Sequence, residues 1–360
     1  MISLKNTYLY VEFSLTDDKG QAIEAAKNIS TLNCLGKTFI KSMKLLLNGI
    51  EIEDTGSDYA YRSWLETELM FDSEAKRTSL ASSFYYPSSG DKQENVADTG
   101  YVKRSELLAD GKPIQTMSPL HLNLFMQNRL LLNYIDLRLV IYRNSDAFCI
   151  KNYNVTPNSP VCKLQIKDMK LFVKEVEVMD TISLSIERTL KANNRVKYPL
   201  RNVQVHSFHV PKNALYAPDN MVFTDQLPRR VVVGLVSNKG YYGDISADPF
   251  HFQNFNVRHI SLETGGRYLL FPTNPVDDEK VDLEYEDLFA LHADHYLTEE
   301  LLTAQLQFLC AALEKEDVIA DNVKFHGKIG VDDFKNIDKN DVEGNVYQIT
   351  SAKSQFVHFS

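Results

Sequence analysis

The sequence has little of what builds metal ribbons, disulfide frameworks or membrane spans. Its four cysteines (Cys34, Cys149, Cys162 and Cys310) are scattered over 360 residues without a C-x-x-C pair. Neither a zinc ribbon nor a disulfide framework is therefore indicated, and a reducing compartment fits best. No run reaches the roughly 18–20 apolar residues of a membrane span, and the first residues lack the layout of a secretory signal. We expect a soluble chain that is not secreted.

Basic residues are also scarce. The 39 Lys+Arg stand against 48 Asp+Glu, which leaves a formal net charge of -9. Sequence-independent binding of nucleic acid needs a dense basic surface, so this balance argues against that function. The sequence contains neither a glycine-rich phosphate loop nor the G-x-G-x-x-G fingerprint of dinucleotide binding. With 44% hydrophobic and 24% charged residues the composition is typical of a soluble globular protein, and the length suggests two domains.

Short β-rich runs with a period of two dominate the sequence and predict a mostly β protein. The run from Tyr8 to Phe13 has the aromatic and β-branched residues typical of a strand. Asn48-Gly49 is the strongest hairpin signal, because both residues tolerate the positive φ of a type I′ turn. Many strands separated by irregular connections favour a sandwich or jelly roll over a βαβ array. Further strands are predicted at 39–47, 137–142, 164–178, 203–210, 231–236 and 257–262.

The segment 59–71 (YAYRSWLETELMF) has helical periodicity instead, with apolar residues at i, i+4 and i+8 from Tyr61. The pair 57–58 (Ser-Asp) stands before it as a candidate N-cap. We expect a short helix that bridges strands of the first sandwich and buries Tyr61, Trp64 and Leu65.

A second helix is predicted at 298–315. Thr298 can cap it, two glutamates suit the positive end of its dipole, and four leucines share one face. We interpret both helices as insertions in a β protein.

Three segments have the composition of linkers, namely 88–100, 152–160 and 179–199. Because the third lies near the middle of the chain, we place the domain boundary there. The predicted domains are residues 1–180 and residues 181–360.

The most metal-like cluster is formed by His292, Asp294 and His295. His-x-Asp with a distant His is the facial triad of non-haem iron oxygenases, and His326 or His358 could complete it. The cluster directly precedes the predicted helix, where solvated polar residues are common, and nothing nearby indicates the partners that orient metal-bound imidazoles. We therefore predict a surface loop without a metal.

Three weaker patterns have simpler explanations. The acidic run 338–343 lacks the spacing of a calcium loop. The arginine pair 229–230 precedes a very apolar run, where charged residues protect against aggregation. Cys149 with His206 or His209 would make a Cys–His pair, but nothing local supports activation of the thiol. The sequence therefore predicts no catalytic, cofactor-binding or metal-binding residue.

Several distinctive runs follow one another over residues 5–290. They are LLLNG (45–49), YAYRSWLET (59–67), PLHLNLF (119–125), RLL (129–131), DLRL (136–139), RNSDAFC (143–149), KYP (197–199), LPRRVVVGLV (227–236) and PFHFQNF (249–255). In their order and spacing, these runs resemble the major capsid proteins of Polinton/Maverick elements and adintovirus-like viruses, whose copies occur integrated in animal genomes. The run 59–67 is similar to the tyrosine-rich helix of that family.

The resemblance implies an all-β double jelly roll, in which two eight-stranded β-sandwiches with short inserted helices stand side by side on a capsid surface. It implies a structural protein of the virion capsid that is made in the host cytoplasm and is not an enzyme. Three copies would form a pseudo-hexagonal capsomer of an icosahedral shell. The implied partners are further copies of the chain and the penton and minor capsid proteins, with no sequence-specific nucleic acid, no membrane span and no cofactor.

The region from about residue 298 departs from the family pattern. The predicted helix and an acidic stretch replace the strands that would finish the second sandwich. Only 323–329 and 346–359 look β-like there. Completion of the second jelly roll by this chain or by a neighbouring one is therefore open at this point.

Two other classes of function are open as well. A jelly-roll binding module, such as a lectin or receptor-binding protein, would present a concave aromatic and polar site. An iron-dependent jelly-roll oxygenase would use His292 and Asp294. The inventory of 18 Tyr and 19 Phe suits large packed β interfaces and mildly favours assembly.

Overall fold

The structure, a computed structural model, is mostly β. It describes residues 1–23, 29–89, 93–155, 161–192, 194–210, 230–253 and 255, and the backbone of the strands 259–264, 267–272, 289–292, 307–312, 346–351 and 356–358. The strands are β1 (Ile2–Asp17), β2 (Ser30–Thr31), β3 (Ile40–Leu47), β4 (Ile50–Asp54), β5 (Ile114–Pro119), β6 (Leu137–Arg143), β7 (Ile150–Lys151), β8 (Cys162–Glu175), β9 (Gln204–His209), β10 (Arg230–Val236), β11 (His259–Thr264), β12 (Arg267–Pro272), β13 (Phe289–His292), β14 (Gln307–Ala312), β15 (Val346–Ser351) and β16 (Phe356–His358). The helices are α1 (Leu35–Thr38), α2 (Tyr59–Met70), α3 (Ser73–Arg77), α4 (Thr99–Leu108), α5 (Asp146–Cys149), α6 (Asp180–Lys191) and α7 (Asn238–Tyr241).

The first sandwich consists of two antiparallel sheets, with strand orders β16-β8-β1-β5 and β15-β6-β3-β4. Alternation along β1 buries Leu9, Val11 and Phe13, and the same period buries Leu45 on β3. Phe13 meets Phe39 edge to face, with ring centroids 5.1 Å apart. The period of two therefore determines which face of each sheet lines the core, because a slip of one residue would expose all of these side chains.

The predicted hairpin at Asn48-Gly49 is confirmed. Asn48 (φ 50°) and Gly49 (φ 79°) both have positive φ, as a type I′ turn requires, and join β3 to β4. The turn is also hydrogen-bonded to Asp136, the residue that precedes β6, because the Asn48 N–H donates to the Asp136 carbonyl over 2.8 Å. The Asp136 N–H returns a 2.9 Å bond to the Asn48 side-chain oxygen.

The second half contains a four-stranded antiparallel sheet, β13-β10-β14-β9, and the hairpin β11-β12. Strand β10 lies inside the sheet, and every residue after Arg230 is buried. This explains its unbroken run of apolar residues, because a strand covered on both faces loses the polar half of the alternation. The predicted strands at 203–210, 231–236 and 257–262 are confirmed, with shifts of one or two residues at their ends.

The prediction of a helix over 298–315 is wrong where the structure describes this segment. Residues 307–312 form β14, which pairs with β10 on one side and β9 on the other. The run Phe308-Leu-Cys-Ala-Ala is apolar throughout, and a run of that length fits a central strand as well as a helix. Pairing with two strands decides the conformation. The rest of the segment lies outside the described residues.

Two predicted linkers contain helices. The segment 179–199 holds α6, in which no residue is fully buried. Asp98, near the end of the segment 88–100, caps α4 by accepting a 2.7 Å hydrogen bond from the Tyr101 N–H. Polar and small residues are typical of irregular chain, but Asp is also a preferred N-cap residue, as Asp98 shows.

The C-terminal region supplies strands to the first sandwich. Strand β15 pairs with β6 and β16 pairs with β8, which confirms the β-like reading of 346–359. The segment 323–329 lies outside the described residues. The division into residues 1–180 and 181–360 stays a prediction.

Candidate functional site

Helix α2 lies where the two halves of the chain meet. Asp58 precedes it, but its side chain makes no capping hydrogen bond, contrary to the predicted role. Its carboxylate instead accepts hydrogen bonds from the Tyr241 hydroxyl and the Ser207 hydroxyl, both over 2.9 Å. The two hydroxyl oxygens are 2.8 Å apart, which closes a triangle. Asp58 thus joins the first half to two segments of the second, and burial raises its pKa.

Aromatic rings fill the space beside this triangle. Tyr61 stacks on Tyr241 with centroids 5.5 Å apart and meets Phe250 edge to face at 5.5 Å. Trp64 stacks on Phe250 at 4.7 Å and on Tyr85 at 5.8 Å. Aromatic pairs contribute about 0.5–1.5 kcal/mol beyond the area they bury. These five residues, which we term the junction cluster, join α2 to the segment 237–253.

The predicted burial of α2 is confirmed for Tyr61 and Leu65, which are 3% and 0% exposed. Trp64 is only half-buried, so the prediction is wrong for this residue. Its ring stacks on Phe250 and Tyr85, but part of the side chain stays accessible to water.

The backbone of the segment 237–253 docks on the first half. The buried Lys151 ammonium donates to the Asp244 carbonyl over 2.9 Å, and the Asn152 N–H donates to Ile245 over 2.8 Å. Burial lowers the pKa of Lys151 to about 8. Gly243 has φ 83° and lies so close to Phe148 that a Cβ would approach its backbone to 3.1 Å. Only glycine meets both demands without strain.

Glu94 makes two further contacts with the segment 237–253. Glu94 accepts a 2.7 Å hydrogen bond from the Asp248 N–H, and its carboxylate lies 3.3 Å from the His251 imidazole. Burial alone would raise the pKa of Glu94, but these two partners outweigh it and lower the pKa.

Behind α2 lies a buried network of charges centred on Arg62. Its guanidinium donates to Glu53 over 2.9 Å, to Glu66 over 3.1 Å and to the Asn123 side-chain oxygen over 2.8 Å. Glu66 also pairs with the imidazole of buried His121. The three charged side chains of Arg62, Glu53 and Glu66 are at most 7% exposed, so each depends on the others for compensation.

The network makes stability sensitive to acid. Burial alone would raise the pKa of Glu66, but Arg62 and His121 outweigh it and lower the pKa from 4.5 to about 2. Because the folded pKa lies below the unfolded one, the stabilisation is present above pH 4.5 and disappears as the pH falls toward 2. We expect urea titrations to show a loss of about 3 kcal/mol over this range from Glu66.

The Glu66→Gln variant provides the control for this prediction. It removes the titrating carboxylate, so its free energy of unfolding should be lower at pH 7 but should fall less steeply below pH 4.5. Equal slopes for the two proteins would contradict the assignment to Glu66.

The Cys149 thiol has an environment unsuited to nucleophilic catalysis. Burial raises the pKa of the Cys149 thiol to about 12, which is the opposite of activation. His209 contacts the Asn238 side chain at 3.2 Å, and His206 lies opposite Cys310 in the backbone register of β9 and β14.

The metal-like cluster is only partly described. His292 ends β13 opposite Arg230, and His358 lies on β16 in the first sandwich, whereas Asp294, His295 and His326 fall outside the described residues. The acidic run 338–343 and Arg229 fall outside them too. Within the described part of the chain, no three His, Cys, Asp or Glu side chains gather as a metal ion requires.

We expect elemental analysis of the purified protein to find no stoichiometric iron or zinc. His292→Ala should change the free energy of unfolding by no more than about 0.5 kcal/mol, as is usual for positions without a special role. A stoichiometric transition metal that is lost in this variant would contradict the prediction and support the oxygenase alternative.

Comparison with known proteins gives one relative and several similar folds. No family model matches the chain. It is 27% identical over 320 residues to the uncharacterized protein F54H12.2 of Caenorhabditis elegans, covering 87% of this chain and 73% of the relative.

Among the described helices, none has the length and apolar character needed to cross a membrane.

Two solved structures with a similar fold are viral. A chain of the Sputnik virophage, solved by cryo-electron microscopy, superposes with a TM-score of 0.50 at 10% identity, covering 90% of this chain and 85% of that one. A chain of the PBCV-1 virus capsid gives 0.44 at 13% identity, with 87% and 77% covered. The predicted fold class is confirmed, since the chain is a double jelly roll with short inserted helices. Eight strands of its first sandwich and six strands of its second half are described.

Proposed function

We propose that this chain is a major capsid protein whose homotrimers form the pseudo-hexagonal capsomers of an icosahedral shell. The observation that carries the proposal is the double jelly-roll fold over 90% of the chain, similar to a chain of the Sputnik virophage. The ordered runs between residues 5 and 290 support it independently of the structure. On this proposal the protein is not an enzyme and resides in the virion, with penton and minor capsid proteins as further partners.

We further propose that the protein belongs to a Polinton/Maverick element or an adintovirus-like virus. The sequence runs quoted above support this assignment. The relative from a nematode supports it as well, because such elements reside in animal genomes.

The function rests on rigidity and burial instead of chemistry. The junction cluster and the hydrogen bonds of Asp58 and Lys151 hold the two halves in one arrangement, so that one chain can present two rigid blocks to its neighbours. An obligate trimer would bury about 2,000 Å² or more per interface, with aromatic residues prominent at its core.

Light scattering tests the assembly directly. We expect a molar mass of three times the 41.1 kDa of the chain at micromolar concentration, and a hexagonal outline of single particles by electron microscopy. The mass of a single chain at that concentration would contradict the proposal and favour a binding module.

A further inference from the structure

The two C-terminal strands close two open sheet edges of the first sandwich. Strand β6 is bordered by β3 and β8 by β1, and only β15 and β16 pair with their other sides in the described structure. An uncovered edge presents unpaired N–H and C=O groups that another strand can pair with. Only residues 352–355 separate β15 from β16, so this C-terminal strand pair adds one strand to each sheet of the same sandwich.

A long stretch of chain leads to this strand pair. Strand β14 ends in the second-half sheet at Ala312 and β15 begins at Val346, so residues 313–345, 33 in number, lie between them. Extended at about 3.3 Å per residue, they would span roughly 110 Å. The 16 residues of β1 measure about 50 Å on the same basis. The connection is therefore long enough to reach the first sandwich of an adjacent copy.

We propose that neighbouring copies of this chain exchange their C-terminal strand pairs, so that residues 346–358 of one copy pair with β6 and β8 of the next. The inference rests on the proposed assembly of several copies. Exchange between identical chains keeps every strand pairing seen within one chain, so it costs no contact. The entropic cost of closing a loop also rises only slowly with its length, so the long connection hardly affects the choice between pairing within a chain and pairing between chains. The local concentration of neighbouring sheet edges then determines which pairing forms.

The register provides positions at which exchange can be measured. Gln348 lies opposite Val140, and Thr350 lies opposite Arg138. Val140 and Arg138 are half-buried, whereas Leu139 between them is 0% exposed. Cysteines at 140 or 138 therefore replace residues on the outer face and leave the core unchanged. Directly opposite residues in an antiparallel pair lie close to the Cβ separation that a disulfide needs.

The experiment uses two full-length variants, Val140→Cys and Gln348→Cys, produced together and oxidised. We expect a covalent dimer of twice the chain mass on a non-reducing gel, which neither variant gives alone. In a chain that carries both substitutions, links between chains should exceed links within a chain. Arg138→Cys with Thr350→Cys should behave in the same way and provides a second test if the first pair perturbs folding.

Two control pairs test whether linking depends on the strand register and whether the oxidation works. Val140→Cys with Thr350→Cys is out of register by two residues and should not link efficiently. Lys44→Cys with Asp54→Cys lies across the β3-β4 hairpin and should link only within a chain, which verifies the oxidation.

The outcomes separate this inference from the proposed function when light scattering is measured on the same samples. A trimer that links only within chains overturns the exchange and leaves the capsomer standing. A monomer that links only within chains overturns both. Links between chains in a particle of two copies support the exchange and contradict the trimer. No link at either in-register pair, with the hairpin control linking, also overturns the exchange.

Discussion

Replacing Arg62 with alanine should lower the free energy of unfolding by about 3–5 kcal/mol, because removing one member of a buried ionic network leaves the others uncompensated. Glu53 and Glu66 both depend on this guanidinium, and their side chains are 7% and 4% exposed. Both carboxylates are buried, so neither can be hydrated in place of the lost guanidinium unless the surrounding structure opens. Urea titration at pH 7 measures the loss.

The matched control for Arg62 is Lys44. Its ammonium also contacts two carboxylates, Glu51 at 3.1 Å and Asp54 at 2.7 Å, but at the surface. Solvent screens exposed ion pairs, so Lys44→Ala should cost far less than Arg62→Ala. Equal losses would contradict the view that burial makes the Arg62 network important.

A triple variant separates lost charge compensation from lost packing. Arg62→Met with Glu53→Gln and Glu66→Gln removes the charges together and keeps similar volumes. It should be more stable than Arg62→Ala, because no unpaired ion is left in the interior.

Features that depend on near neighbours in the chain could be predicted from the sequence. The Asn48-Gly49 turn needs only two residues with positive φ, and the alternation along β1 needs only one buried face. Helix α2 likewise follows from a stripe whose members, Tyr61 and Leu65, are one turn apart. The double jelly roll itself was predicted through resemblance, since these local patterns are shared by other all-β folds.

Features that depend on distant residues could not be predicted in this way. The local sequence predicts that Asp58 caps a helix, but its partners Ser207 and Tyr241 are 149 and 183 residues away in the chain. The sequence of β14 predicts a helix, whereas its conformation is decided by two neighbouring strands that only the fold brings together. The C-terminal strands are β-like in sequence, but nothing in their composition indicates which sandwich they join.

The sequence contains no local signal for the aromatic contacts of the junction cluster. Phe250 lies in the run 249–255, which carries part of the family resemblance but no signal that Phe250 contacts α2. Its ring is 6% exposed and touches Tyr61, Trp64 and Phe148. Through this ring the segment 237–253 contacts both α2 and α5.

Replacing Phe250 with alanine should therefore cost about 3–5 kcal/mol of stability, the range for truncating a buried aromatic side chain. Trp64 is the sole tryptophan of the chain and stacks on Phe250 as well as on Tyr85, so its fluorescence is sensitive to the loss of the Phe250 ring. We expect the emission of the variant to shift to longer wavelength as water reaches the indole. Both changes are measured on the same protein, by urea titration and by its emission spectrum at zero denaturant.

Tyr242→Ala is the control for this variant. Tyr242 lies in the same segment and meets Tyr241 edge to face at 5.5 Å, but it is 73% exposed. Its truncation should leave the Trp64 emission unchanged and alter stability by no more than about 0.5 kcal/mol. An unshifted emission in Phe250→Ala would mean that Phe250 does not cover the Trp64 indole in solution. The two halves would then be held by the Tyr61–Tyr241 stack and by the hydrogen bonds of Asp58, Lys151 and Glu94.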